Sequence, residues 1–178
     1  MYVLKILIVS TDSELRDLYR KAVNKMNTEE YKANPHKDSG FDVFTPKGEL
    51  AIAAGETKLV DMQIRCAAYK IVCNGDSCIK VPCAFFMFPR SSIYKSTVRL
   101  ANNTGIIDSG YRGNLMGAFD NISRIGPSFP LGSWRQCENA HGRLLQICMP
   151  DLSPFVVEIV DELDDTDRGS GGLGSTGR

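Results

Sequence analysis

The sequence has little of what several common function classes require. Among its 178 residues there are only two histidines and one tryptophan, and neither a Gly-x-Ser-x-Gly elbow nor a His-Glu-x-x-His motif occurs. The usual serine-hydrolase and zinc-protease patterns are therefore excluded. Neither sign of charge is in excess, because 21 Lys and Arg balance 21 Asp and Glu, and no apolar run approaches the roughly 20 residues that span a bilayer. We expect neither a nucleic-acid partner nor a membrane partner.

The cysteines and the first residues of the chain bear on the cellular compartment. Cys73, Cys78 and Cys83 lack the two-residue spacing that is typical of zinc knuckles. The first ten residues are apolar but contain Lys5, and no cleavage site follows them, so they predict a buried strand rather than a secretory signal. The six cysteines are then those of a reduced, intracellular and soluble protein of the cytoplasm or nucleus.

The composition of the middle of the chain is typical of an all-β sandwich or barrel. From about residue 38 to 160, short runs rich in Val, Ile, Phe and Thr alternate with Gly, Pro, Asn and Asp. Before this region, Thr11 and Glu14 form a capping box ahead of apolar residues at helical spacing, which predicts one amphipathic helix over about 12–27. The predicted strands are 41–44, 57–64, 84–88, 115–119, 144–149 and 155–160, with a hairpin tip at 73–78.

The same patterns divide the chain into two parts. We expect a single β domain over 1–160, with the helix as an insertion and a surface excursion at 126–142, followed by an acidic linker and a Gly-rich segment over 161–178. Judged by composition, a Gly/Ser-rich end is typical of a flexible linker. It lacks the Gly-Lys-Ser/Thr ending and the flanking elements of a phosphate-binding P-loop.

Polar residues that could carry chemistry are concentrated in turns. Three glycines surround Asp108 and Tyr111, which suits a tight hairpin whose exposed backbone N–H and C=O groups could bind the polar edge of a flat ligand. The Asp108 carboxylate could hold a water, and the Tyr111 ring could lie on a sugar. Arg90, followed by Ser91 and Ser92, is typical of a phosphate clamp. Both segments also have a purely structural interpretation, as a hairpin with a capping Asp and as a helix capped by Ser91. The residues alone leave these alternatives open.

Taken together and in order, these segments resemble the five motifs of the trimeric deoxyuridine triphosphate nucleotidohydrolases (dUTPases). The matching stretches are 38–44, 89–92, 105–113, 142–147 and 168–177. The resemblance implies a distorted jelly-roll or β-clip subunit with a flexible C-terminal arm, and a homotrimer. It also implies Mg²⁺-dependent attack of water on the α-phosphorus of dUTP, giving dUMP and pyrophosphate. Such an activity limits uracil in DNA and supplies dUMP.

The resemblance also implies roles for individual residues. Asp108 would orient the attacking water, Tyr111 would pack on the deoxyribose and exclude a 2′-hydroxyl, and Asp42 would hold Mg²⁺ through water. The uracil would be read by the hairpin that runs from Asn102 to Asp108 and includes Gly105 and Ile107. The phosphates would be contacted by Arg90, Ser91, Ser92 and Gln146. Arg168, Gly174 and Ser175 of the arm would close over the triphosphate from a neighbouring subunit, and Leu173 of the arm would cover the uracil ring.

The sequence departs from the pattern of that family in three ways. Leu173 stands where the family usually has Phe, so base stacking worth roughly 1–3 kcal/mol is lost and we expect weaker substrate binding. Gly142 stands where an acidic residue commonly precedes the arginine. The helix over 12–27 and the excursion at 126–142 are additions to a minimal subunit, and the residues do not show what they do.

Two further functions are compatible with the same fold. A dCTP deaminase needs a general acid/base, which that family supplies as a Glu on the strand after the third motif. Here that strand reads Leu-Met-Gly-Ala-Phe-Asp over 115–120, without a Glu. A nucleotide-binding or regulatory protein could instead use the added helix or the excursion to hold a partner.

Overall fold

The computed structural model describes residues 1–123 and 141–172. Ten strands dominate these residues, and the helices are short. The strands are β1 (Tyr2–Ile8), β2 (Gly40–Thr45), β3 (Thr57–Asn74), β4 (Ser77–Cys83), β5 (Phe85–Pro89), β6 (Val98–Leu100), β7 (Gly105–Ile107), β8 (Asn114–Asn121), β9 (Gly142–Cys148) and β10 (Phe155–Val160). The helices are α1 (Ser13–Met26), α2 (Glu29–Ala33) and a 3₁₀ helix (Ser91–Lys95). None of the helices in these ranges is both long and apolar enough to cross a membrane.

The strands form two sheets. The larger has the order β10-β1-β3-β8-β6, with β4 paired to β3, and the smaller has the order β2-β9-β5-β7. All pairs are antiparallel except β1 with β10. The all-β, jelly-roll-like fold predicted from the sequence is confirmed. Alternating burial along β8 gives this strand one apolar face, which points into the core.

The core lies between the two sheets. At Gly117 of β8 an added Cβ would come within 2.7 Å of Met62 in the same sheet and 3.1 Å of Leu145 in the other. Both of these side chains are fully buried. The glycine therefore lets the two sheets approach closely at this point.

Helix α1 packs on the body through one face, as its apolar spacing predicts. Leu15, Tyr19 and Val23 are buried. The Tyr19 hydroxyl accepts a hydrogen bond from the Phe44 amide at 3.0 Å, just after the register shift in β2 between Val43 and Phe44. The helix thus satisfies a backbone group that the bulged strand leaves unpaired.

Several local predictions need correction. The cap of α1 is Asp12, whose carboxylate accepts from the Glu14 amide at 2.9 Å, and not Thr11. Helix α2 was not predicted, since five residues are too few to show a period. The hairpin tip at 73–78 is confirmed, with Gly75 at a φ of +60°, but a disulfide joins Cys73 to Cys78, so the expectation that these two cysteines are reduced was wrong. Most of the excursion predicted at 126–142 lies outside the described residues.

Candidate active site

The first group of polar residues is built on one edge of the smaller sheet. Asp42 of β2 lies opposite Gln146 of β9, and the following register shift brings Arg143 beside it. The Asp42 carboxylate receives Arg90 Nε at 2.6 Å on Oδ1 and Arg143 Nη1 at 2.9 Å on Oδ2. One carboxylate therefore fixes two guanidinium groups, whose remaining N–H groups can bind an anion.

A cavity of about 1080 Å³ opens beside this group, between the sheet and helix α1. Arg90, Ser91, Arg143 and Gln146 contribute to its walls. The Gln146 amide donates a 3.4 Å hydrogen bond to the Pro89 carbonyl, which holds the side chain against the turn that carries Arg90. The structure thus brings together Arg90, Ser91 and Gln146, three of the four residues that the second and fourth motifs predicted as phosphate contacts.

The turn after Arg90 is not a helix capped by Ser91, which was the structural alternative that the sequence left open. Arg90 itself occupies the cap of the 3₁₀ helix, and no side chain in the described part of the chain caps that helix. The interpretation of Ser91 as a helix cap was therefore wrong. The Ser92 hydroxyl is buried and has no hydrogen-bond partner among the described residues, which is rare for a buried polar atom and is common where a ligand or a water completes the site.

The second group lies around the turn after β7. Arg168 Nη2 approaches Asp108 Oδ2 to 2.8 Å. A small cavity of about 100 Å³ lies next to this ion pair. It is lined by Ile106, Ile107, Asp108, Tyr111, Met116, Arg168 and Gly172. An apolar pocket with one carboxylate and one guanidinium at its rim suits a small ring with polar substituents.

Tyr111 is held rigidly in this pocket. Its hydroxyl donates to the Asn114 carbonyl at 2.8 Å. An added Cβ at Gly113 would lie 2.5 Å from that hydroxyl oxygen, and one at Gly172 would lie 2.8 Å from the ring. Burial, together with the nearby Asp61 carboxylate, raises the pKa of Tyr111 above its ordinary value. Two glycines therefore leave the space that the ring occupies.

Strand β7 presents an edge beside the same pocket. Within the described ranges it pairs with β5 alone, so one side of its backbone keeps N–H and C=O groups free to bind a ligand. Gly105 packs closely on Met87, because an added Cβ would lie 3.3 Å from the Met87 Cβ. Ile107 contributes to the pocket, whereas Asn102 is exposed in the turn before the strand. The predicted uracil hairpin thus has an open backbone edge.

The start of the predicted arm lies on its own chain. Buried Arg112 donates to the Asp164 carbonyl at 3.1 Å and to its carboxylate at 3.3 Å. The Arg112 amide donates to the Gly169 carbonyl at 2.7 Å, and the Thr166 hydroxyl donates to the Gly110 carbonyl. Where the resemblance implied that Arg168 reaches a neighbouring subunit, the structure pairs it with Asp108 of the same chain. Leu173, Gly174 and Ser175 lie outside the described residues.

Asp164 is the electrostatic anchor of this segment. Burial alone would raise the pKa of Asp164, but hydrogen bonds from Tyr69 and Arg112 outweigh that effect and lower it below 3.8. Burial and the hydrogen bond to Asp164 raise the pKa of Tyr69 to about 12. The segment is therefore held most firmly when Asp164 is ionised.

Two contributions were not among the predicted site residues. Arg143 precedes Gln146 in the fourth motif, but only the pairing of β2 with β9 shows that it binds Asp42. Behind Tyr111, Asn114 donates to Asp61 at 2.7 Å and accepts from Arg65 at 2.8 Å. This network sits where β3 and β8 lose register between Asp61 and Arg65, and bulges commonly adjoin active sites. No short motif in the sequence marks it.

The two groups lie far apart on one chain. Asp42 is on β2 and Asp108 follows β7, and β9 and β5 lie between these strands. Three strand spacings amount to about 14 Å, and the displacement along the strands adds to this distance. A site that uses both groups must therefore combine residues from two copies of the chain, or be spanned by an extended ligand.

The described residues do not build a metal cage. No group of three His, Cys, Asp or Glu side chains converges in the ranges 1–123 and 141–172. Both oxygens of Asp42 already receive an arginine. Mg²⁺ commonly binds through one or two carboxylates together with the phosphates of a substrate, so a metal here would depend on a bound phosphate ligand.

Comparison with known proteins gives several matches. The sequence is 32% identical over 165 residues to the deoxyuridine 5′-triphosphate nucleotidohydrolase of Clostridioides difficile, which covers 90% of this chain and 99% of that protein. It is 33% identical over 136 residues to the protein of the same name from Escherichia phage T5, and the match covers 74% of this chain and 77% of that protein. A mutant dUTPase of phage phi11 of S. aureus, solved with a structural Mg(II) ion, has a similar fold, with a TM-score of 0.50 at 19% identity. The match covers 92% of this chain and 96% of that chain. No protein-family model matches the chain.

Proposed function

Because the chain belongs to the family of deoxyuridine 5′-triphosphate nucleotidohydrolases, we propose that it hydrolyses dUTP to dUMP and pyrophosphate. The observation that carries this proposal is the pocket in which Arg168, Asp108 and Tyr111 meet beside the open edge of β7. Its volume and its apolar lining suit part of a nucleoside, and its rim carries the one carboxylate that the reaction needs.

Asp108 positions the attacking water in this mechanism. The Arg168 guanidinium holds Oδ2, which leaves Oδ1 to accept a hydrogen bond from a water and orient its lone pair toward the α-phosphorus. Tyr111 packs on the deoxyribose, and its hydroxyl is already bound to the Asn114 carbonyl. A 2′-hydroxyl would meet a ring that cannot move away, so ribonucleotides are disfavoured.

The triphosphate binds at the other group of residues. Arg90 and Arg143, held by Asp42, supply paired N–H donors, and Ser91 and Gln146 line the same cavity. Ser92, whose hydroxyl is buried, follows in the same turn. Because this group lies about three strand spacings from Asp108 of the same chain, we infer a homotrimer in which the nucleoside pocket of one subunit faces the phosphate-binding residues of the next. Leu173, Gly174 and Ser175 of the arm would then cover the bound nucleotide.

Mg²⁺ would be held here by the phosphates of this highly charged ligand together with Asp42. It would neutralise part of the triphosphate charge, and Asp42 would contact it through water while still holding the two arginines. Because dUTP is an intracellular metabolite, we place the activity inside the cell.

A screen of nucleoside triphosphates tests the function. The purified full chain is incubated with Mg²⁺ and each common deoxynucleoside triphosphate, and pyrophosphate and ammonia are both measured. We expect pyrophosphate from dUTP alone. Asp108→Asn should lower kcat by about 10²–10⁴-fold while dUTP still binds, whereas Asp165→Asn, an exposed carboxylate nearby on the arm, should leave kcat unchanged. Near-normal turnover by Asp108→Asn would remove Asp108 from the mechanism.

The deaminase alternative has less support. Strand β8 contains no Glu, and its only carboxylate, Asp120, accepts a hydrogen bond from the Thr57 hydroxyl at 2.5 Å. Ammonia release from dCTP in the same screen would favour that alternative. A protein that binds dUTP without releasing either product would instead favour the regulatory alternative.

A further inference from the structure

Helix α1 forms one wall of the 1080 Å³ cavity that contains Arg90 and Arg143. The residues of α1 that face this cavity are Leu18, Lys21, Ala22, Lys25 and Met26. The predicted role of this helix was structural, as an apolar stripe packed on the body. The structure gives it a second face, whose two lysines lie one helical turn apart and point toward the cavity that carries the arginines.

The other charged residues of α1 have partners on the protein. Arg20 is paired with Asp17 at 2.9 Å, Glu14 is paired with Lys47, and Arg16 donates to the Ser10 carbonyl at 3.3 Å. Lys21 and Lys25 have no ion-pair partner in the described part of the chain. Like charges at positions i and i+4 destabilise a helix slightly. The negative, C-terminal end of the helix dipole stabilises the positive charge of Lys25, which lies in the last turn. It does not explain the position of Lys21.

The opposite wall leaves positive charge uncompensated. Arg90 and Arg143 share the single carboxylate of Asp42, and Asp38 is the only other carboxylate among the described residues that line the cavity. With the two lysines, four cationic side chains surround a space large enough for a chain of phosphates. Such a cavity attracts an anion that carries several charges more strongly than one that carries a single phosphate.

We propose that Lys21 and Lys25 bind the terminal phosphates of the nucleotide and, after cleavage, the pyrophosphate. The proposal rests on the proposed function, because it assigns the 1080 Å³ cavity to the triphosphate. Arg90 and Arg143 then hold the phosphate chain from the sheet, and the two lysines hold it from the helix. A nucleoside monophosphate lacks the groups that the lysines contact. The inserted helix thus contributes to the discrimination between triphosphate and monophosphate.

Calorimetric titration of the full chain with inorganic pyrophosphate, and separately with dUMP, tests this role. In the double variant Lys21→Met and Lys25→Met we expect the Kd for pyrophosphate to rise roughly three- to tenfold, since exposed ionic contacts are individually weak. The Kd for dUMP should change less than twofold. The matched control is Arg20→Met, which removes a cation from the same helix outside the cavity and should leave both constants unchanged. Unaltered melting temperatures would show that α1 remains folded.

The outcomes separate this proposal from the proposed function. Equal pyrophosphate affinity in the double variant and the native chain would overturn the role of the lysines, even if dUTP is hydrolysed normally. An equal loss for pyrophosphate and dUMP would also overturn it, because the effect would not be confined to the terminal phosphates. A selective loss for pyrophosphate in a protein that fails to hydrolyse dUTP would support the anion site and refute the activity.

Discussion

The two glycines that surround the Tyr111 ring give a test of how strictly its position matters. In Gly113→Ala the new methyl group would overlap the Tyr111 hydroxyl and ring, so the ring must leave the position proposed for packing on the deoxyribose. We expect kcat/KM for dUTP to fall at least tenfold, as misplacement by about 1 Å can cause a larger loss. Gly110→Ala is the control, because its Cβ would make only ordinary contact with Arg168. Steady-state kinetics of both variants measure the difference, and equal kinetics would contradict a positioned ring.

Individual site residues could be predicted only in part from the sequence. The Arg90 turn, Gln146 and the Asp108 hairpin were recognisable because short motifs preserve their local order. The ion pairs could not be predicted, because Asp42 meets Arg143 only through the pairing of two strands about 100 residues apart. The separation of Asp42 from Asp108 within one chain likewise depends on strand order, which periodicity does not encode.

The segment between β10 and Gly172 is expected to respond to pH through Asp164. The lowered pKa of this carboxyl in the folded chain means that its stabilising effect is present above about pH 4, and is lost as the pH falls through the folded-state pKa. Because Asp164 is half exposed, we expect an effect of only about 0.2–1 kcal/mol. Hydrogen exchange at the Arg112 and Gly169 amides, expressed relative to the intrinsic exchange rate at each pH, should quicken on acidification. In Asp164→Asn it should be fast already at neutral pH, and identical exchange in the two proteins would contradict the anchor.

Elements with a clear period were the easiest to predict. Strand β10 begins and ends at the predicted residues, and α1 differs from its predicted range by one residue at each end. The start of α1 was misassigned because Thr11 and Asp12 are both good caps and only the backbone conformation selects between them. Strands β6 and β7 have three residues each, and α2 has five. Such lengths are too short for a hydrophobic pattern to stand out.

Sharing of one site between subunits predicts that two inactive variants restore each other. Asp108→Asn inactivates the nucleoside pocket, and Arg90→Ala removes a donor from the phosphate-binding residues. If each site combines the two groups from different chains, mixed trimers will contain some intact sites, about a quarter of them for random assortment. We expect activity to appear after the two variants are unfolded and refolded together. Refolding each variant alone is the control. Absence of recovery in proven mixed trimers would place the whole site within one chain.

The parallel pair of β1 and β10 affects how this molecule is made. Tyr2 lies opposite Phe155, so the first strand leaves the ribosome about 150 residues before one of its two neighbours, and such non-local pairing is slow. Until then one side of β1 is an unpaired edge that another nascent chain could join. The stage at which this protein is most open to aggregation is therefore its synthesis, before β10 docks, rather than its life as a finished enzyme.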